Sequence, residues 1–271
     1  MRFSLELCNE NRMRIKPLGS YNLLQDYLLD LTGLWFNPLE YYSRLSRSVR
    51  AKLERIVDFY CKLRLSINRF ERDYIFIAVA LSRRTDYHRN TVRWCESIFG
   101  KISDVKDVLD LDLSKVSRSY QVAQLKYSLK DYLSVKSILE KLYERNDIVG
   151  LRRILLGIKW FGPKSTDAFI LFTSRLSQST PCDIHYRRFT RFLNLIDYEY
   201  LPNKSMCIRY SCDSCPFSNK CLYSLSIKYF GPLSGWIQTV AYVHDKNYCS
   251  RGRCTLCPFM KDCSLPASHK L

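Results

Sequence analysis

The chain has 271 residues, 46% of them hydrophobic, enough for one large domain or two modest ones with apolar cores. Only nine Gly and nine Pro argue against a disordered or all-β chain, and no run of about 18 apolar residues exists to form a transmembrane helix. Forty-three Lys and Arg against 26 Asp and Glu give a net charge of +17, which points to a polyanionic partner, nucleic acid first.

Residues 1–17 mix β-formers with polar residues and predict one or two short strands. They lack the apolar stretch of a signal peptide, so a cytoplasmic or nucleoid-associated, intracellular protein is expected. YNLLQDYLLDL (21–31) is helical in period, Asn37-Pro38 punctuates, and residues 39–66 keep apolar groups at helical spacing. DYIFIAVAL (73–81) is continuously apolar and long enough for a buried helix. Helical patterns continue over 87–99, 119–144 and 147–158. Trp160-Phe161-Gly162-Pro163 makes a sharp turn into another helix, and a further one begins near Asp183. Residues 222–245 read as an apolar helix or helix pair broken at Gly231-Pro232. The expectation is a mostly α protein with a cysteine-rich C-terminal third. Basic residues alternate with aromatics in RRTDYHRNTVRW (83–94) and HYRRFTRFL (185–193), a composition suited to phosphate contact and stacking.

Residues 151–194 form the informative unit: helix, tight hairpin, helix, then an aspartate opening another helix. Such a hairpin presents unpaired N–H groups at the second helix's N-terminus, able to hold a DNA phosphate without reading sequence. Pro163 suits the first helical turn, and Gly162 permits close backbone approach. The residues Ile158-Lys159-Trp160-Phe161-Gly162-Pro163-Lys164, Asp167-Ala168-Phe169-Ile170-Leu171-Phe172 and Pro181-Cys182-Asp183-Ile184-His185 resemble the helix–hairpin–helix DNA glycosylase superfamily, which includes endonuclease III and 8-oxoguanine glycosylase. The resemblance spans residues 35–263 and is strongest over 154–192. It implies two helical subdomains around a DNA-binding cleft. It also implies that Lys164 is the lysine of the bifunctional members and Asp183 the catalytic aspartate. LSRRTDYHRNT (81–91) resembles the helix junction that faces the lesion, where Tyr87 and His88 are candidate wedge or pocket residues. Trp160 departs from the pattern, standing where the family has its first hairpin glycine.

The chemistry of the pair follows from general principles. A carboxylate beside a sugar stabilises the positive charge that develops as the base–sugar bond breaks, or deprotonates the nucleophile. An amine attacks the anomeric carbon only when neutral, and burial in a basic neighbourhood lowers a lysine's pKa. Taken singly, a lysine after a Gly-Pro turn is an ordinary helix-start residue, and an aspartate before a helix an ordinary N-cap. Their joint spacing favours catalysis, with His185 read as structural. The candidate DNA-binding residues are Lys159, Trp160, Phe161, Gly162, Arg83, Arg84, Arg187, Arg251 and Arg253.

Twelve cysteines in a chain read as intracellular argue against a disulfide framework. Cys8, Cys61, Cys95 and Cys182 are scattered and read mostly as small buried hydrophobes. The other eight form two quartets of spacing C-x4-C-x2-C-x5-C: Cys207, Cys212, Cys215, Cys221, and then Cys249, Cys254, Cys257, Cys263, each 42 positions later. Four thiolates so spaced suit a cubane iron–sulfur cluster or a tetrahedral zinc. The second quartet resembles the four-cysteine loop that binds a 4Fe-4S cluster in endonuclease III, with a shorter first gap. The first quartet has no counterpart in that pattern. A second 4Fe-4S cluster, a zinc, and a site shared with the second quartet all remain open for it.

The expected organisation is an N-terminal segment, 1–66, packing on the C-terminal subdomain; a helical barrel subdomain, 67–182, holding the helix–hairpin–helix at 147–175; and C-terminal helices, 183–271, with metal loops at 207–221 and 249–263. The expected function is a bifunctional DNA glycosylase and AP lyase of base excision repair. It would act as a monomer on double-stranded DNA with a damaged base or abasic site, with no membrane partner. Damaged pyrimidines are the first substrate expectation, then oxidised guanine, then deaminated or mismatched bases. The alternatives are a non-catalytic DNA-binding iron–sulfur protein and an RNA-binding metalloprotein.

Overall fold

A computed structural model describes residues 3–9, 12–17 and 21–264. The strands expected near the N-terminus form an antiparallel hairpin, β1 (Phe3–Asn9) and β2 (Arg12–Pro17), with Phe3 opposite Pro17 and the register shifting between Leu7 and Asn9. The rest of the described chain is helical, turn or loop, apart from an isolated bridge between Tyr200 and Cys221. Among the described residues, no helix is long and apolar enough to cross a membrane.

α1 (Tyr21–Thr32), α2 (Pro38–Ser43) and α3 (Arg47–Tyr60) open the helical part. In α3, Leu53, Ile56, Val57 and Tyr60 recur at helical spacing and all are buried. α4 (Arg72–Leu81) is the apolar segment expected to be a buried helix; Phe76, Ile77, Val79, Ala80 and Leu81 are all enclosed. A single π-helical turn, Tyr87–Thr91, then leads into α5 (Val92–Phe99). The 25-residue α6 (Tyr120–Glu144) follows, and Asp147 caps α7 (Ile148–Gly157) by accepting from the Gly150 N–H. α8 is Pro163–Thr173, α9 Ile184–Phe192 and α10 Lys204–Arg209. The apolar stretch after the first quartet is a pair, α11 (Leu222–Phe230) and α12 (Leu233–Asn247), divided at Gly231-Pro232.

Two apolar cores organise these helices. The first is built from residues between Phe76 and Leu176. At its centre the Phe76 ring stacks on Tyr132 at 4.1 Å and on Phe161 at 4.7 Å, with Phe169 edge-on at 5.6 Å. The second core joins Phe36–Ile67 to residues from Cys182 to Phe259. The chain therefore leaves the second core, builds the first and returns. α8 runs between them, giving Phe169 and Ile170 to one and Leu171 to the other. The return is fixed at Gly235, whose N–H donates to Ser177 O at 2.8 Å. A Cβ there would lie 2.5 Å from that carbonyl oxygen and 2.4 Å from Leu171 Cδ1, so glycine is what lets α12 close on this loop. Of the cysteines outside the quartets, Cys95 and Cys182 are buried and Cys61 half-buried, while the side chain of Cys8 lies outside the described residues.

Candidate active site and DNA-facing hairpin

The hairpin between α7 and α8 is held from behind by its carbonyls. Ile158 O accepts from Lys204 Nζ at 3.1 Å, Lys159 O from Ser128 Oγ at 3.0 Å, and Trp160 O from Arg83 Nη1 at 3.1 Å. The Phe161 N–H closes the turn onto Ile158 O at 3.2 Å. Trp160 has φ of +66°, the left-handed conformation that glycine adopts without strain. The tryptophan thus retains a glycine-like turn, at a cost of about 1 kcal/mol. Its side chain is 51% exposed.

α8 begins with no side-chain cap, and Pro163 at its first position lacks an N–H. Its first-turn N–H groups and the positive end of its dipole remain available to an anion. The backbone at Gly162 is extended, and a Cβ built there meets no atom within 4 Å. The glycine is therefore not required by the chain's own packing, and the open space in front of it is free for an external group.

Lys164 follows directly. It is half-buried. Burial lowers its pKa from the ordinary 10.5, and the nearby Asp183 carboxylate opposes part of that shift. Asp183 caps α9. Its Oδ1 accepts the Tyr186 N–H at 2.8 Å and its Oδ2 accepts from Gln238 Nε2 at 2.9 Å. Both carboxylate oxygens are thus oriented, and the two residues anticipated from their spacing are electrostatic neighbours.

A face of α12 completes this region. Gln238 is buried. One turn on, the Tyr242 ring stands edge-on to His185 at 5.1 Å, and its hydroxyl is 3.4 Å from His88 Nε2. Burial raises the Tyr242 pKa, with Asp86, Tyr87 and Asp183 adding to the shift. Lys246 pairs with Asp86 at 3.6 Å. Tyr87 and His88 are exposed on the π-helical turn, so the lesion-facing junction expected at 81–91 stands across from α12. The sequence reading did not single out Gln238 or Tyr242. The available signal was a polar Gln in an otherwise apolar helix, GWIQTVAYVHDKN. His185 Nδ1 donates to Asp245 Oδ2 at 2.7 Å, which ties α9 to α12.

The other candidate residues divide by their surroundings. Lys159, Trp160, Arg84, Arg251 and Arg253 are exposed. Arg187 is half-buried, with Nε lacking a partner among the described residues. Two expectations need correction. Phe161 is fully buried in the first core and its N–H is spent on Ile158, so its ring is not a DNA contact. Arg83 donates to Ala80 O and Trp160 O, so it supports the hairpin from within rather than offering a free cation.

Each cysteine quartet surrounds its own cavity. Cys249, Cys254, Cys257 and Cys263 line one, walled by His185, His244, Asp245 and Phe259. Cys207, Cys212, Cys215 and Cys221 line the other, with Arg152 and Tyr223. The two cavities share no lining residue. Among the described residues, no three His, Cys, Asp or Glu side chains converge closely enough to hold a single metal ion.

By sequence, no protein-family model and no curated protein matches the chain. By shape, it is similar to an 8-oxoguanine glycosylase/lyase of Clostridium acetobutylicum in complex with double-stranded DNA containing cytosine opposite 8-oxoG. That match has a TM-score of 0.62 and 12% identity, covering 90% of this chain and 81% of the other. The apo form of the same enzyme matches at 0.61 with 12% identity, covering 89% and 81%. MBOgg1 in complex with a low-affinity DNA ligand matches at 0.61 with 15% identity, covering 90% and 82%. At such identities the likeness establishes the fold.

Proposed function

We propose that this chain, whose fold is that of the helix–hairpin–helix DNA glycosylase superfamily, is a bifunctional DNA glycosylase and AP lyase that removes a damaged base from duplex DNA. The observation that carries the reading is the pair at the mouth of α8: a half-buried amine, Lys164, with its pKa lowered by burial, beside a carboxylate fixed by two donors, Asp183.

In this reading the uncapped start of α8 and Gly162 receive a phosphate, while Lys159, Trp160, Arg84, Arg187, Arg251 and Arg253 flank the backbone. The target nucleotide leaves the stack at a cost of a few kcal/mol. The neutral Lys164 Nζ attacks C1′. The C1′–base bond breaks, and the base departs with the bonding pair. Asp183 takes the proton released by the amine and offsets the positive charge of the sugar. The sugar ring then opens to a Schiff base. Loss of a proton from C2′ breaks the C3′–O bond and nicks the strand on the 3′ side. Tyr87, His88 and Tyr242 stand where the displaced nucleotide would pass.

For substrate, we place oxidised guanine ahead of damaged pyrimidine. Two of the similar structures are of an 8-oxoguanine glycosylase/lyase, whereas the pyrimidine preference rested on the lysine and cluster loop alone. Single-turnover base release on a panel of duplexes containing 8-oxoguanine, thymine glycol, uracil or a mismatch tests this. Fastest release of 8-oxoguanine supports the order given, and fastest release of thymine glycol reverses it.

The second quartet fits a resident cluster by its donor set, since its four thiols line one cavity against buried protein. Cys249, Cys254, Cys257 and Cys263 would hold a 4Fe-4S cluster, whose contribution when bound is to stiffen the loop carrying Arg251 and Arg253. That loop is also anchored by protein contacts: Arg55 Nη2 donates to Pro258 O at 2.8 Å, and the Ser264 N–H to Phe192 O at 2.8 Å.

A further inference from the structure

The first quartet lies on the back of the DNA-facing hairpin. Arg152, on α7, connects them. It is only 8% exposed, and its guanidinium forks onto the fully buried Asp167 of α8, Nε to Oδ1 at 2.6 Å and Nη2 to Oδ2 at 3.2 Å. The same group lies 3.8 Å over the Tyr223 ring of α11, and Nη1 points at Cys212 Sγ from 3.9 Å. One side chain thus touches both helices of the hairpin and the quartet. A second link comes from α10, the helix that carries Cys207: Lys204 Nζ donates to Ile158 O at the hairpin's start.

The four sulfurs line the wall of a cavity. Around a zinc at Zn–S of about 2.3 Å, tetrahedral sulfurs would stand only about 3.8 Å apart. No such single-ion convergence is present among the described residues. A cluster needs four thiolates placed around a volume, and these four line a single cavity. A thiolate-bound centre carries net negative charge, and the Nη1 edge of Arg152 is a buried cation aimed at it.

We propose that Cys207, Cys212, Cys215 and Cys221 hold a second iron–sulfur cluster, and that this cluster braces the hairpin through Arg152 and Lys204. The assignment stands apart from the glycosylase reading and holds for a DNA-binding protein without catalysis.

The test begins with the wild-type chain purified anaerobically from iron-replete cells. Iron, acid-labile sulfide and zinc are counted and the visible spectrum recorded. About eight irons and eight sulfides per chain, without zinc, are expected. About four irons with one zinc, or four irons with no other metal, overturns the second cluster. The Cys212→Ser/Cys215→Ser and Cys254→Ser/Cys257→Ser double variants should each retain about half the iron and sulfide. Loss confined to the second pair contradicts the assignment. Hydrogen exchange over residues 158–166 reads the brace without any activity assay. Protection there should fall at least about tenfold in Cys212→Ser/Cys215→Ser and, with all cysteines present, in Arg152→Met. Unchanged protection in both refutes the bracing role.

Discussion

Gln238 Nε2 lies 2.9 Å from Asp183 Oδ2, joining the middle of α12 to the N-cap of α9. The other carboxylate oxygen is held by the Tyr186 N–H. A cap needs only one of these bonds. The second fixes the orientation of a carboxylate that is an electrostatic neighbour of Lys164.

Replacing Gln238 with Leu removes that orientation while keeping a buried apolar volume. A hydrogen bond to a charged group contributes ~1.5–3 kcal/mol, so single-turnover base release should fall about 10- to 100-fold. Undamaged-duplex affinity, measured by anisotropy, should change less than about twofold.

At Gly162 the chain's own packing and the proposed DNA contact can be tested apart. The open space around it means that Gly162→Ala should leave Tm nearly unchanged. Affinity for undamaged duplex should fall about tenfold, uniformly across sequences, because a phosphate contact carries no base information. Thermal melting and anisotropy on the same preparation check both halves.

Trp160 stores backbone strain at an exposed position. Asn tolerates the left-handed conformation, so Trp160→Asn should stabilise the fold by roughly 0.5–1 kcal/mol in urea unfolding. The same change should weaken single-stranded DNA binding through lost stacking, worth about 1–3 kcal/mol per base.

The pH dependence follows from the direction of the Lys164 shift. Burial lowers its pKa below 10.5, and in the proposed mechanism the nucleophile is the neutral amine. The rate of Schiff-base formation should therefore rise with pH and level off at a midpoint below 10.5. Single-turnover trapping rates across pH measure the midpoint. In Asp183→Asn the charge that opposes the lowering is gone, so the midpoint should move lower still.

The helices were legible where period and punctuation agreed. Leu53, Ile56, Val57 and Tyr60 mark α3, and Asp147 and Asp183 mark helix starts. That Lys164 and Asp183 are neighbours was legible from the family resemblance of the hairpin and of the helix start that carries Asp183. Phe161 was misread because an aromatic beside Trp160 in a hairpin has the same local pattern whether it faces DNA or stacks on Phe76, 85 residues earlier in the chain. Gln238 and Tyr242 were missed for a related reason: their partners Asp183 and His88 come from distant segments that only the return of the chain between two cores brings together. The separation of the two quartets was likewise invisible in their spacing, because identical motifs do not say which cysteines share a cavity.

The central claim is that Lys164 is the nucleophile. Borohydride trapping on duplex DNA containing 8-oxoguanine or an abasic site measures it directly. The wild-type chain should form a covalent adduct that peptide mapping places on Lys164. The Lys164→Ala variant should still bind the duplex and form none. An undiminished adduct in Lys164→Ala, or neither adduct nor base release from wild type across the lesion panel, would contradict the account.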